Sequence, residues 1–96
     1  MLKNYERLFR ALGDEHRLEI IGLLMDKRST HPQDTMSAAS LLKKFPFSQP
    51  TLSHHMKILC ESSLVARHKI GKNIFYTLDI SGLKHLEEFI VQLTRA

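Results

Sequence analysis

Ser48-Gln49-Pro50-Thr51-Leu52-Ser53-His54-His55-Met56-Lys57-Ile58-Leu59-Cys60 is the stretch whose reading decides the fold. Ser48 is a favourable helix N-cap, and Pro50 falls in the first turn, where its missing N–H costs nothing. Leu52, Met56 and Leu59 recur at helical spacing, so the stretch is expected to bury one face. The other face carries Gln49, Thr51, Ser53, His54 and Lys57. Short polar side chains and an amide on the first turns suit hydrogen bonding to base edges in a DNA major groove, because bulky residues would hold the backbone away.

The residues upstream supply a partner for that helix. Ala38, Leu41, Leu42 and Phe45 predict a short helix ended before Pro46, two residues ahead of Ser48. Two helices joined so tightly make a helix-turn-helix. Downstream, Leu64–Ile70 and Ile74–Leu78 read as strands about a turn at Gly71-Lys72-Asn73. That hairpin is expected to form a wing that sets Arg67, Lys69, Lys72 and Asn73 against DNA, the three cations on phosphates since no acidic neighbours answer their charges. Phe75 and Tyr76 read as wing and core packing rather than base stacking.

Towards the amino terminus, Tyr5, Leu8, Phe9 and Leu12 form a helical stripe that stops at Gly13. Asp14 then reads as the N-cap of a second helix, with Leu18, Ile21, Leu24 and Met25 as its buried face. Residues 28–35 are polar and interrupted by Pro32, and predict an exposed loop without core character. At the carboxyl end, Leu83, Leu86, Ile90 and Leu93 recur at helical spacing with Phe89 beside them. So small a domain leaves little core for that stripe to cover. Together with Tyr5 and Leu8 it is expected to form the seam of a homodimer. The fold class expected is mainly α with a small β-hairpin, a single winged helix-turn-helix domain over residues 1–96.

Composition fits this reading. A chain of 96 residues with 43% hydrophobic content supports one modest core. The formal charge is +4, but residues 43–73 hold six Lys or Arg against one acid, while residues 1–42 are balanced at six against six. A clustered basic footprint implies a polyanionic partner, duplex DNA first. Lys43 and Lys44 suit either phosphate contact or a solvated helix end. The single cysteine rules out an intramolecular disulfide, and the first residues lack the apolar run of a secretory signal. No stretch approaches the roughly 18 apolar residues that span a bilayer. A cytoplasmic protein with no membrane association is expected.

Three groups invite sharper chemistry. His54 and His55 are adjacent on a helix and point about 100° apart, so they do not converge on a metal. His85 and Glu88 share a face at a spacing that can ligate zinc and that equally suits a solvated pair. Cys60 admits two readings, a thiol switch near the reading helix or a small buried hydrophobe. An enzyme is disfavoured because the chain has no glycine-rich phosphate loop, no recognisable Ser/His/Asp order and too little length for a deep pocket. A purely protein-binding winged helix is disfavoured by the basic enrichment of residues 43–73.

The order of helices, the string from Ser48 to Leu59 and the following Leu64-Val65 resemble the ArsR-type family of winged-helix repressors. The resemblance covers nearly the whole chain. Phe9-Arg10-Ala11-Leu12-Gly13-Asp14 before Arg17-Leu18, and Gly71-Lys72 before Phe75-Tyr76-Thr77-Leu78, are similar to two further family landmarks. It implies a homodimer through the first and last helices that sets one recognition helix in each of two major grooves, about 34 Å apart. The departures bear on what is sensed. Many members carry Cys-x-Cys at the start of the third helix, where this chain has Ser37 and Ala39. A second family site at the last helix maps onto Asp79, Ser81, Gln92 and Arg95, of which only the aspartate is a usual ligand. No cofactor or metal is therefore expected, the inducer is unknown, and residues 28–35 are several longer than usual.

Overall fold

The computed structural model describes residues 2–95. Helix α1 spans Leu2–Leu12 and α2 spans Glu15–Asp26; a 3-10 turn at Pro32–Asp34 leads into strand β1, Met36–Ser37. Helix α3 (Ala38–Lys43) and helix α4 (Gln49–Glu61) follow, then strands β2 (Val65–Ile70) and β3 (Asn73–Leu78), and α5 over Ile80–Thr94. The fold is the mainly helical, winged one expected from the sequence.

Capping chemistry sets most of the boundaries. The side chains of Asp14, Ser37, Ser48 and Asp79 accept from the backbone N–H of Arg17, Ser40, Thr51 and Ser81 respectively. Each such cap is worth on the order of 1 kcal/mol. Between α3 and α4, Phe45 and Phe47 stack at 4.9 Å with His16 of α2 edge-on to both. This cluster pins the turn of the helix-turn-helix to α2. One continuous core joins Leu8, Ile20, Leu41, Met56, Leu64 and Leu86, so every helix contributes to it.

Several expectations need correction. The wing is a three-stranded antiparallel sheet in the order β1-β3-β2, because Met36 and Ser37 pair with Tyr76 and Phe75. Met36 is buried. Asn73 is not in the turn: it opens β3 opposite Ile70 and leaves Gly71-Lys72 as a two-residue connection. Gly71 has φ +62°, the left-handed region in which such turns take glycine at their first position. On α2 the buried residues are Ile20 and Leu24, whereas Leu18 and Met25 are more than half exposed. That helix is apolar on several sides, and the packing of α1 and β3 selects the face. The loop 28–35 is exposed over most of its length, as expected, but it contains the 3-10 turn.

Candidate nucleic-acid interface

Helix α4 is anchored from behind before it presents anything in front. Leu52, Met56 and Leu59 are buried as the spacing predicts, and His55 is buried with them. The Nδ1 atom of His55 lies 3.1 Å from Arg17 Nη1 and 3.9 Å from Asp14 Oδ2. Since a guanidinium only donates, Nδ1 accepts, which requires the neutral imidazole with its proton on Nε2. Burial lowers the His55 proton affinity, with Arg17 and the imidazoles of His16 and His54 adding to it and the Asp14 carboxylate opposing. Arg17 also donates from Nε to the carbonyl of Ala11 at 2.6 Å and from Nη2 to that of Arg10 at 3.3 Å. One side chain thus caps two carbonyls in the last turn of α1 and braces α4. The sequence reading missed this role for His55. Its recurrence with Leu52, Met56 and Leu59 on the same helical face was the signal.

On the outward side, Ser48, Gln49, Thr51, Ser53, His54 and Lys57 are all exposed. Gln49, Ser53 and Lys57 repeat every four residues and form one row, with Thr51 and His54 in the row beside it. Lys57 sits 3.9 Å from Glu61, an exposed pair that constrains it little. A groove of about 350 Å³ separates α4 from the wing and joins Gln49 and Ser53 on one wall to Lys72 and Asn73 on the other. Four of the residues singled out from sequence therefore share one concavity. Arg67 and Lys69 pair with Tyr76 and Ile74, which also line that groove, so they share its face but lie on the outer strand.

The Oγ atom of Ser37 caps α3 and donates to Ser40 Oγ at 2.9 Å. Asp79 Oδ1 accepts from both the backbone N–H and the hydroxyl of Ser81. Both positions thus carry helix-capping hydrogen bonds. His85 Nδ1 lies 3.7 Å from Glu88 Oε2, and the ring stacks on Tyr5 with centroids 4.6 Å apart. Among the described residues no three His, Cys, Asp or Glu side chains converge as metal ligands. Cys60 is half-buried, and that burial raises the proton affinity of its thiol, against the nearby Arg67 charge. A thiol so held is a weak nucleophile at neutral pH.

The expected seam divides. Tyr5, Leu8 and Leu86 are buried within the chain's own core and Leu83 is half-buried against it, so these four already serve the domain itself. Ile90 and Leu93 are exposed, the latter at 66%, as are Val91 and Phe9. Phe9 packs edge-on against Phe89, which links α1 to α5 on the same side. No described helix is long and apolar enough to cross a membrane.

Comparison with known proteins agrees with this anatomy. A family model described as a helix-turn-helix domain matches residues 12–68. The arsenical resistance operon repressor of Staphylococcus xylosus is 37% identical over 86 residues, which are 90% of this chain and 76% of that protein. The Staphylococcus aureus protein of the same name is 40% identical over 77 residues, 80% of this chain and 67% of its own. An ArsR-like transcriptional regulator from Rhodococcus superposes with a TM-score of 0.77 at 26% identity, covering 95% of this chain and 77% of its own. The chain belongs to the ArsR-type family of winged helix-turn-helix transcriptional regulators, DNA-binding proteins and not enzymes.

Proposed function

We propose that this regulator is a dimeric repressor that acts by occupying its operator. The observation that carries the reading is the groove in which Gln49 and Ser53 of α4 face Lys72 and Asn73 of the wing. Gln49, Thr51, Ser53 and His54 read base edges, while Ser48, Lys57, Arg67, Lys69, Lys72 and Asn73 hold phosphates. A second copy docks through the outward apolar side chains of α1 and α5, Phe9, Ile90 and Leu93 among them, and doubles the site. The repressor sense follows the names of the staphylococcal relatives. Their arsenical specificity is not carried over, because Ser37 and Ala39 stand where the family resemblance implies a Cys-x-Cys pair, and neither offers the thiolate that soft metals need. The site of action is the cytoplasm.

The test is retention of the DNA flanking the protein's own gene as salt is raised. Contacts with several phosphates make the logarithm of affinity fall linearly with that of salt, at about 0.9 per phosphate neutralised. Binding that ignores salt, or a monomer at micromolar concentration, would overturn the reading.

A further inference from the structure

A cavity of about 460 Å³, with no α4 residue in its lining, lies between the end of α2, the loop that follows it, the end of β3 and the start of α5. Its size falls within the range of small-molecule sites. Leu24, Leu78 and Ile80 give it an apolar floor and lip, and Ile80 is 55% exposed there. Lys27 and Arg28 stand at the rim with no ion-pair partner among the described residues, and no carboxylate lines the cavity. Thr30, also in the lining, has no side-chain hydrogen bond among the described residues, leaving a hydroxyl beside the two cations.

From this we infer a binding site for a small organic anion with an apolar body, of the carboxylate class. The apolar body covers Leu24, Leu78 and Ile80, and the carboxylate meets Arg28 and Lys27, where a guanidinium gives a two-pronged match. A neutral compound of the same shape gains only the first part. The two cations also suit the carbonyl end of α2, which is their alternative role. The cavity is walled by the loop 28–35, so the extra length of that loop acquires a purpose. Apart from Ile80 at the first turn of α5, the lining takes nothing from α4, α1 or α5, and none of Phe9, Ile90 and Leu93 belongs to it, so the site is separate from the proposed DNA face.

The experiment is an amide NMR titration of the DNA-free protein with octanoate, and with octanol as the uncharged match. Saturable octanoate shifts are expected at residues 27–30, 35 and 77–80, with octanol at least tenfold weaker. Arg28→Gln is expected to lose tenfold in octanoate affinity while leaving the other amides in place; Ile80→Asn, altering the exposed lip, is expected to weaken both ligands. No saturable octanoate shift, equal binding of the two compounds, or shifts centred on Phe9, Ile90 and Leu93 would overturn the inference. So would an Arg28→Gln variant that binds octanoate as the parent does.

Discussion

Arg17 Nη1 and His55 Nδ1 lie 3.1 Å apart, joining α2 to the inner face of α4. The contact holds only while His55 is neutral. Protonation would set an imidazolium against a guanidinium, with the Asp14 carboxylate 3.9 Å away as the sole nearby compensation among the described residues. Burial keeps the His55 pKa below its ordinary 6.5 in the folded chain. Between the two values the unfolded chain binds more protons, so stability rises with pH through that window and is lost as pH falls below 6.5. The Asp14 carboxyl, lowered chiefly by the backbone N–H of Arg17, loses its contribution only below 3.8. Urea unfolding from pH 7.5 to 5 is expected to show the fall, and His55→Gln to start less stable but follow a flatter profile. A parallel pair of profiles would refute the assignment.

Gly82 marks a second close approach. A methyl group there would stand 2.4 Å from the Ser63 carbonyl oxygen and 2.8 Å from that of Ser62. Its N–H donates to the same Ser63 carbonyl at 3.0 Å, so the start of α5 rests directly on the end of α4. Gly82→Ala is expected to cost about 1–3 kcal/mol by denaturant unfolding, the range for overpacking a site that cannot yield. Ser63 itself has φ +58°, and Ser63→Gly is expected to stabilise by up to about 1 kcal/mol by relieving that strain. Unchanged stability in Gly82→Ala would show that α5 can shift without cost.

Local chemistry made most of this fold legible. Asp14 and Ser48 announce helices by capping them, Gly71 announces the hairpin, and the period of Leu52, Met56 and Leu59 turns α4 the right way. What stayed hidden is non-local. Strand β1 is two residues long and exists because β3 offers an edge to Met36, which no local pattern encodes. The face of α2 is chosen by its neighbours, since Leu18, Ile20, Ile21, Leu24 and Met25 surround the helix axis. The anchor role of His55 depends on Arg17, 38 positions away.

The proposed seam predicts a separation of two effects that sequence alone merged. Leu93→Glu places a carboxylate on an exposed position and is expected to leave the domain folded while weakening the dimer and, with it, operator affinity. Leu86→Glu buries an unpaired carboxylate in the core and is expected to unfold the domain itself. Sedimentation and circular dichroism on both variants distinguish the outcomes. A folded Leu86→Glu monomer with Leu93→Glu still fully dimeric would move the seam elsewhere.

Reading and holding are likewise expected to be separable on the proposed DNA face. Ser53→Ala and His54→Ala are expected to relax sequence preference, each good base contact being worth about 1–3 kcal/mol. Lys72→Ala should weaken all sequences alike and reduce the salt slope by about 1. Competition binding with operator and scrambled duplexes at several salt concentrations checks both. Loss of specificity from Lys72→Ala, with none from the helix variants, would reverse the assignment of roles.

Release from DNA is expected to be independent of metal at the two positions where the family's metal sites fall. Soft-metal sensing requires deprotonated sulfur, and residues 37 and 39 present a hydroxyl and a methyl group. The hydroxyl of Ser37 is moreover committed to capping α3. At α5, Asp79 is held by Ser81 as the helix cap, and Gln92 and Arg95 offer an amide and a cation that would repel an ion. His85 and Glu88 form a pair, short of the four ligands a closed tetrahedral site needs. Zn(II), Cd(II) and As(III) titrated against the operator complex under reducing conditions are therefore expected to leave affinity unchanged. A stoichiometric effect of tenfold, or about 1.4 kcal/mol, would show that a site built from other residues controls release.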